Sequence, residues 1–453
     1  MRPKFSLDYY PAPPESASVE MAAREFLQEL QEARLRALVR RAWERVPFYR
    51  QRWEKAGLRP EGIHTLKELE VLPVVGRKDF EESLRLHPPF GNYQGDFDSV
   101  RVQASSGTSG KPKPFFQTQN DWDVVASFWA RRFHAQGVRP GEIVQIVFAY
   151  SLFIAGFTAT EGAMRLGTLV VPAGSGAITS SERQVRILKE WGTQVLVGTP
   201  TYVLHLADVA EKMGLDTRQD FSLRRTIHTA EPLSEPARKA IEDRWKVTAY
   251  DSFGSVETGA PTFECEYQDG YHINEDGYLF EILDPETLRP LPDGREGLVA
   301  VTSLFKEASP VIRYNLEDVS SFLPGPCRCG RTLRRLAKVR GRASEMLKIR
   351  GAVFYPTMVE TALEKIPELT REYLLVVDRV GQLDCVTLQV ECRSEAVNTP
   401  LLKSRVEKEL RATTGLSIEA RLFGPGELAR ALQVAERVKT KRILDRRGEG
   451  HVS

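Results

Sequence analysis

Residues 104–113 read Ala104-Ser105-Ser106-Gly107-Thr108-Ser109-Gly110-Lys111-Pro112-Lys113, a density of hydroxyls and glycines that suits a phosphate. Closely spaced glycines let successive backbone N–H groups surround an anion, the hydroxyls add donors, and Lys111 adds a positive charge. A kinase-type phosphate loop requires Gly-x-x-x-x-Gly-Lys-Ser/Thr. Here Ser105 occupies the first glycine position and Pro112 follows the lysine, so that motif fails twice. A second constellation is Cys265-x6-His272 with Cys327-x-Cys329. Three thiolates and an imidazole suit four-coordinate structural zinc, although Cys-x-Cys is tighter than the usual zinc spacing. Reduced, half-buried thiols beside a solvated histidine fit the same spacing, and both readings stay open. Cys385 and Cys392 read as strand core residues, and His205 as packing in an apolar helical stretch.

The elements that would position these residues follow from apolar periodicity. Apolar runs at 143–149, 168–172, 194–198, 225–229 and 246–250 alternate with helical stretches near 121–137, 156–166, 180–192, 200–213 and 233–245. Short apolar strands separated by helices predict βαβ units around a buried parallel sheet. Between about 264 and 342 the helical period fades into strands and turns that predict a barrel-like antiparallel piece, and 345–453 reads as a small α+β region. The expected class is α/β, with a large N-terminal domain over 1–342 and a small α+β C-terminal domain over 343–453. An amphipathic helix is expected over 19–44, with Phe26, Leu27, Leu30, Leu35, Leu38 and Trp43 on its apolar face.

Composition bounds the function. Lys and Arg number 63 against 61 Asp and Glu, a balance that announces no polyanion partner, so nucleic acid is not expected. Five cysteines form no disulfide framework, and residues 1–20 lack the apolar core of a secretory signal. The cytoplasm is the expected compartment. The uncharged stretch 143–160 reaches the lower length of a membrane span, but polar residues interrupt it, and a strand, turn and helix explain it better.

Six segments in order carry a resemblance. Ser105 to Lys113 resembles the phosphate loop of the acyl-adenylate-forming superfamily, Thr229-Ala230-Glu231-Pro232 its adenine-side segment, and Asp251-Ser252-Phe253-Gly254-Ser255-Val256-Glu257 its aromatic-Gly-x-x-Glu motif. Arg313-Tyr314-Asn315-Leu316-Glu317-Asp318 resembles the ribose-binding aspartate segment, 341–351 the interdomain hinge, and 438–445 the C-terminal catalytic-lysine segment. Within that superfamily the chain is most similar to the phenylacetate-CoA ligases, through VPFYRQRW at 46–53, LEDVS before CRCG, and 340–360.

The resemblance implies that a carboxylate reacts with Mg-ATP to give acyl-AMP and pyrophosphate, after which a thiol, usually that of coenzyme A, displaces AMP. It also implies a mobile C-terminal domain and a homodimer. On this reading Lys111 and the donors of Ser105, Ser106, Gly107, Thr108, Ser109 and Gly110 meet the triphosphate, and Glu257 holds Mg²⁺, which prefers carboxylate oxygen. Ala230, Glu231, Asp251, Ser252, Phe253, Gly254, Asp318 and Arg342 serve the nucleotide, with Asp318 accepting the ribose hydroxyls and Phe253 offering a flat face near adenine. Lys439 stabilises charge on the reacting oxygens, and Ser344 stands at the hinge, where aspartate is frequent.

Tyr150, Phe153 and Phe157 are expected to wall the acyl pocket, with His228 beside it. Ala155 and Phe157 stand where less bulky residues are common, and the loop before Leu152-Phe153 reads as shortened. A compact aromatic acid of the benzoate or aminobenzoate type is therefore expected. Residues 331–350 hold eight Lys or Arg and one Glu, a solvated face or a strip for the phosphates of coenzyme A. Two other functions fit the same motifs. One is an adenylating enzyme or acyltransferase that loads an aryl acid onto a carrier-protein phosphopantetheine. The other is a non-catalytic nucleotide-binding regulator, against which the presence of Lys111, Glu257, Asp318 and Lys439 argues.

Overall fold

A computed structural model describes residues 19–105, 112–343, 347–349, 352–380, 383–395, 399–431 and 442–447. They divide into two compact units, one holding the residues up to Leu233 with Arg238–Val339, the other Ser234–Ala237 with the residues from Arg340 onward.

The first unit contains a five-stranded parallel sheet in the order Leu169–Val171, Ile143–Ile146, Val195–Val197, Arg225–Ile227, Thr248–Tyr250. These are the five apolar runs of the sequence, trimmed at their ends. Parallel strands covered on both faces read as continuous apolar runs rather than alternating ones, and Val195, Leu196 and Val197 are all fully buried. Helix Gln119–Ala135 precedes the first strand, and helices Ala155–Arg165, Ser181–Glu190, Pro200–Lys212 and Glu235–Trp245 separate the strands in sequence. Their starts are written locally: Thr118, Ser180 and Thr199 each accept a hydrogen bond from the backbone N–H three residues on. The stretch 143–160 thus divides into a strand, a loop and the start of a helix, and no described helix is long and apolar enough to cross a membrane.

The opening helix, Arg24–Arg45, buries Leu27, Gln31, Leu35, Leu38, Val39 and Ala42. Phe26 does not join this face and is 53% exposed. At about 100° per residue a stripe through 27, 31, 35 and 38 cannot also include 26, and the fourth-residue spacing wins. Gln31 takes an apolar position because its amide donates to the Glu275 carbonyl at 2.9 Å.

Beyond the parallel sheet, Tyr278–Leu283, Gly297–Ser303 and Tyr314–Ser320 pair antiparallel. Thr262–Phe263, Tyr271–Ile273, Arg335–Leu336 and Phe322–Leu323 form another antiparallel sheet. Val195, Val197, Ile227, Tyr278, Val299 and Val301 share one core, so the parallel and antiparallel pieces are a single packing unit. In the second unit the central strands Leu369–Val380 and Leu383–Cys392 are antiparallel, with Ile443–Asp445 and Glu419–Phe423 added in parallel at the edges. Helices Pro356–Leu363 and Pro400–Thr414 contribute to its separate core, which includes Cys392, whereas Cys385 is half-buried.

Candidate adenylation site and thiol cluster

An antiparallel hairpin, Ser99–Ser105 with Lys113–Thr118, flanks the segment expected to bind phosphate, and Ser105 stands opposite Lys113 in its register. Ser106, Gly107, Thr108, Ser109, Gly110 and Lys111 lie outside the described residues, between two ends held together by the ladder. The Ser105 hydroxyl is buried with no partner among the described residues.

Sequence motifs pass over Lys113, yet its side chain is buried at the loop's exit, 3.7 Å from the Glu81 carboxylate. Burial pulls its amine below the usual range, while Glu257, Glu81 and Glu317 favour its charged form and Arg77 opposes it. Lys113 is thus a buried cation at the C-terminal end of the segment expected to bind phosphate. Its signal in the sequence is the second lysine of Lys-Pro-Lys, where the motif reading stops at the first.

Glu257 is itself buried. The Lys306 ammonium donates to its backbone carbonyl at 2.8 Å, and the Tyr314 hydroxyl lies 3.5 Å from its Oε1. The preceding loop is fixed from within. Asp251 accepts from the Tyr271 hydroxyl at 2.6 Å and from the Ser252 N–H at 2.8 Å, and its own N–H donates to Glu264 at 2.7 Å. Burial and the adjacent Glu264 carboxylate push the Asp251 carboxyl upward, and Arg238 grips Glu264 at 2.7 and 3.0 Å. The Ser252 hydroxyl donates to the His228 carbonyl at 2.9 Å. The side chains of Asp251 and Ser252 therefore hold the loop, and the group they present is half-buried Phe253, whose backbone N–H and C=O both bond the Thr262 hydroxyl. Gly254 is required there, since a Cβ would stand 2.6 Å from the Gly259 carbonyl oxygen.

His228 corrects an expectation. It is completely buried, with Nδ1 3.0 Å from the Gly198 carbonyl and Nε2 2.9 Å from the Thr226 hydroxyl. Burial pushes its imidazole down to about 3, so it is a neutral packing group with no ring nitrogen left for an acid. Two residues on, Ala230 is left-handed with φ 73°. Such strain in a non-glycine residue persists where the surroundings over-determine a loop, often at a functional site. Glu231 is held by the Thr201 hydroxyl at 2.6 Å.

Tyr150 and Phe157 pack edge to face, with ring centres 5.2 Å apart at 80°, and the Tyr150 hydroxyl lies 2.7 Å from that of Thr160. Phe153 is half-buried nearby in sequence, and the preceding Leu152 carbonyl accepts from the Ala104 N–H at 2.9 Å, tying this segment to the strand that enters the phosphate loop. Arg101 lies across the same wall, 4.9 Å from the Phe157 ring centre and 3.9 Å from that of Trp122. Asp318 is half-buried on Tyr314–Ser320 in the first unit, and Arg342 is half-buried in the second. Ser344 and Lys439 lie outside the described residues. The basic run loses much of its availability for coenzyme A phosphates: Arg331 pairs with Glu20, Arg334 with Asp293 and Arg335 with Asp269.

The thiol cluster does converge. The ligand atoms of Cys265, His272, Cys327 and Cys329 all lie within 4.8 Å of one another. Cys265 Sγ is 3.7 Å from Cys327 Sγ, and Cys329 Sγ is 3.3 Å from His272 Nε2. Zinc–sulfur bonds of about 2.3 Å in a tetrahedron put sulfurs roughly 3.7 Å apart, so the donor set fits that ion. His272 comes from strand Tyr271–Ile273, and the Cys327 and Cys329 loop joins two strands of the same sheet. His272 is completely buried, so it is not the solvated residue of the second reading.

A hairpin flanking the expected phosphate segment, a fixed loop carrying buried Glu257 and a separate small α+β unit are what the resemblance to adenylate-forming enzymes predicts. Residues 28–304 match the AMP-binding enzyme family, and residues 351–447 match the AMP-binding enzyme C-terminal domain. The chain is 38% identical to a phenylacetate-coenzyme A ligase of Aromatoleum evansii, over 96% of this chain and 98% of that one. It is 37% identical to a phenylacetate-coenzyme A ligase of Pseudomonas putida, over 94% and 96%. The fold is similar to that of 2-hydroxyisobutyryl-CoA ligase in the postadenylation state with 2-HIB-AMP, with a TM-score of 0.87 and 29% identity, covering 97% of this chain and 94% of that one. The chain belongs to the AMP-binding enzyme family, and it is an acyl-CoA ligase that works through an acyl-adenylate, with ATP and coenzyme A as co-substrates.

Proposed function

We propose that the acid is aromatic and compact, closer to benzoate or aminobenzoate than to phenylacetate. The observation that carries this reading is the edge-to-face packing of Tyr150 and Phe157, with Arg101 over the rings of Phe157 and Trp122, in a segment joined to strand Ser99–Ser105. Depth in such a pocket decides selectivity, since one methylene is worth about 1 to 3 kcal/mol, or roughly 10 to 200-fold in kcat/KM. ATP–pyrophosphate exchange over a panel of acids tests this. Benzoates are expected to exceed phenylacetate; faster exchange with phenylacetate, or with a long aliphatic acid, would overturn the assignment.

In the first half-reaction a carboxylate oxygen attacks the α-phosphorus of ATP and pyrophosphate leaves; in the second the coenzyme A sulfur attacks the acyl carbon and AMP leaves. Ser105 to Lys111, joined by Lys113, cradle the triphosphate. Glu257 would hold magnesium, which would neutralise charge on the phosphate oxygens. Phe253 meets the adenine face and Asp318 the ribose hydroxyls. Lys439 is the residue we assign to stabilising the oxygens on which charge builds during adenylation.

The thiol cluster holds structural zinc, because four protein donors leave no open position for water. Protein purified without chelator is expected to carry about one zinc per chain, and Cys327→Ser to lose both metal and thermal stability. Zinc below about 0.2 per chain, with unaltered stability in that variant, would exclude the site.

A further inference from the structure

Lys306 is completely buried between strands Gly297–Ser303 and Tyr314–Ser320, an unusual place for an ammonium. A buried charge is costly unless it is paired and hydrogen-bonded. Its hydrogen bond goes to the Glu257 carbonyl at 2.8 Å. The opposing charges around it are the carboxylates of Asp121, also completely buried, and of Glu257. Asp121 accepts from the N–H groups of Glu307 at 2.8 Å, Ala308 at 3.1 Å and Thr118 at 3.1 Å. The Thr118 hydroxyl donates to the Glu307 carboxylate at 2.8 Å, and the Phe116 N–H to the Ser309 hydroxyl at 2.7 Å. Residues 306–309 are thereby fastened on one side to the strand leaving the phosphate loop, Lys113–Thr118, and on the other to Glu257.

We propose that Lys306 is a positioning residue for adenylation: with Asp121 it fixes the backbone of Glu257 at a set distance from strand Lys113–Thr118, so that the Glu257 carboxylate meets the magnesium of Mg-ATP in register. The inference rests on the reading that Glu257 holds magnesium. Lys306 touches neither metal nor nucleotide in this role; it acts through the Glu257 carbonyl. Groups that orient a metal ligand commonly change metal affinity or activity by about 10 to 100-fold when removed.

The test is the free Mg²⁺ dependence of ATP–pyrophosphate exchange in four variants: Lys306→Met, the double variant Lys306→Met with Asp121→Asn, Glu257→Gln, and Val299→Ala as a control. The double variant removes both buried charges, so it leaves no orphaned carboxylate to unfold the chain. Val299, completely buried in Gly297–Ser303, reports simple loss of core packing. Lys306→Met and the double variant are expected to raise the half-saturating Mg²⁺ by about 10-fold or more. Val299→Ala is expected to lower thermal stability without moving it. A double variant that folds and keeps the wild-type Mg²⁺ requirement, while Glu257→Gln shifts it, would overturn the role of Lys306 and leave the magnesium assignment standing. An unshifted Glu257→Gln would overturn both.

Discussion

Replacing Lys439 by alanine is expected to cut acyl-AMP formation by about 10² to 10³-fold, because one aimed charge in a water-poor site is worth about 2.7 to 4 kcal/mol to a developing oxyanion. Conversion of supplied acyl-AMP to the thioester is expected to change little. The lysine lies near the far end of the C-terminal segment, well beyond Ser344, and the adenylation role asks it to reach the α-phosphate in one domain orientation only. On the proposed mechanism, rotation about the hinge would withdraw it before thiol attack. Rapid-quench assays of the two half-reactions, run separately, decide the point. An equal slowing of both, or loss of adenylation in Lys441→Ala alone, would move the assignment elsewhere.

The second large effect is expected at Glu257. Glu257→Gln keeps the side chain's size but removes the charge that a hard, oxygen-seeking cation selects. Exchange at saturating ATP and fixed Mg²⁺ is expected to fall by about 10² to 10³-fold, the cost of removing a preorganised charge from a buried reaction centre. Burial gives this figure its basis: Glu257 is 8% exposed, with the Tyr314 hydroxyl close to its carboxylate and Lys306 fixing its backbone. Exchange rates indistinguishable from the unmodified enzyme would remove the magnesium assignment.

What the sequence makes legible is what local chemistry encodes. Val195–Val197 and its four partners are short apolar runs flanked by helices, a pattern few arrangements other than a covered parallel sheet satisfy. The ordered motifs point to the family because each is a rare combination of residue types and all six come in the same order along the chain. Pairwise geometry is different. Cys265, His272, Cys327 and Cys329 are consistent with a metal or with scattered thiols until the sheet carrying His272 brings the four together. Nothing local in the sequence marks Lys306 or Asp121 as buried, and only long-range packing reveals their place. His228 erred the other way: neighbouring the adenine-side segment in sequence, it faces Gly198 and Thr226 instead. Phe26 shows that an apolar residue one step from a helical stripe need not belong to it.

The most direct measurement is a single-turnover reaction with radiolabelled benzoate and Mg-ATP, first without coenzyme A and then with it. Acyl-AMP is expected to accumulate on the enzyme in proportion to pyrophosphate released, and to be chased into acyl-CoA with stoichiometric AMP when the thiol is added. Thioester formation without ATP, or ATP consumption that leaves no acyl-AMP before coenzyme A arrives, would contradict activation of an aryl acid through an acyl-adenylate.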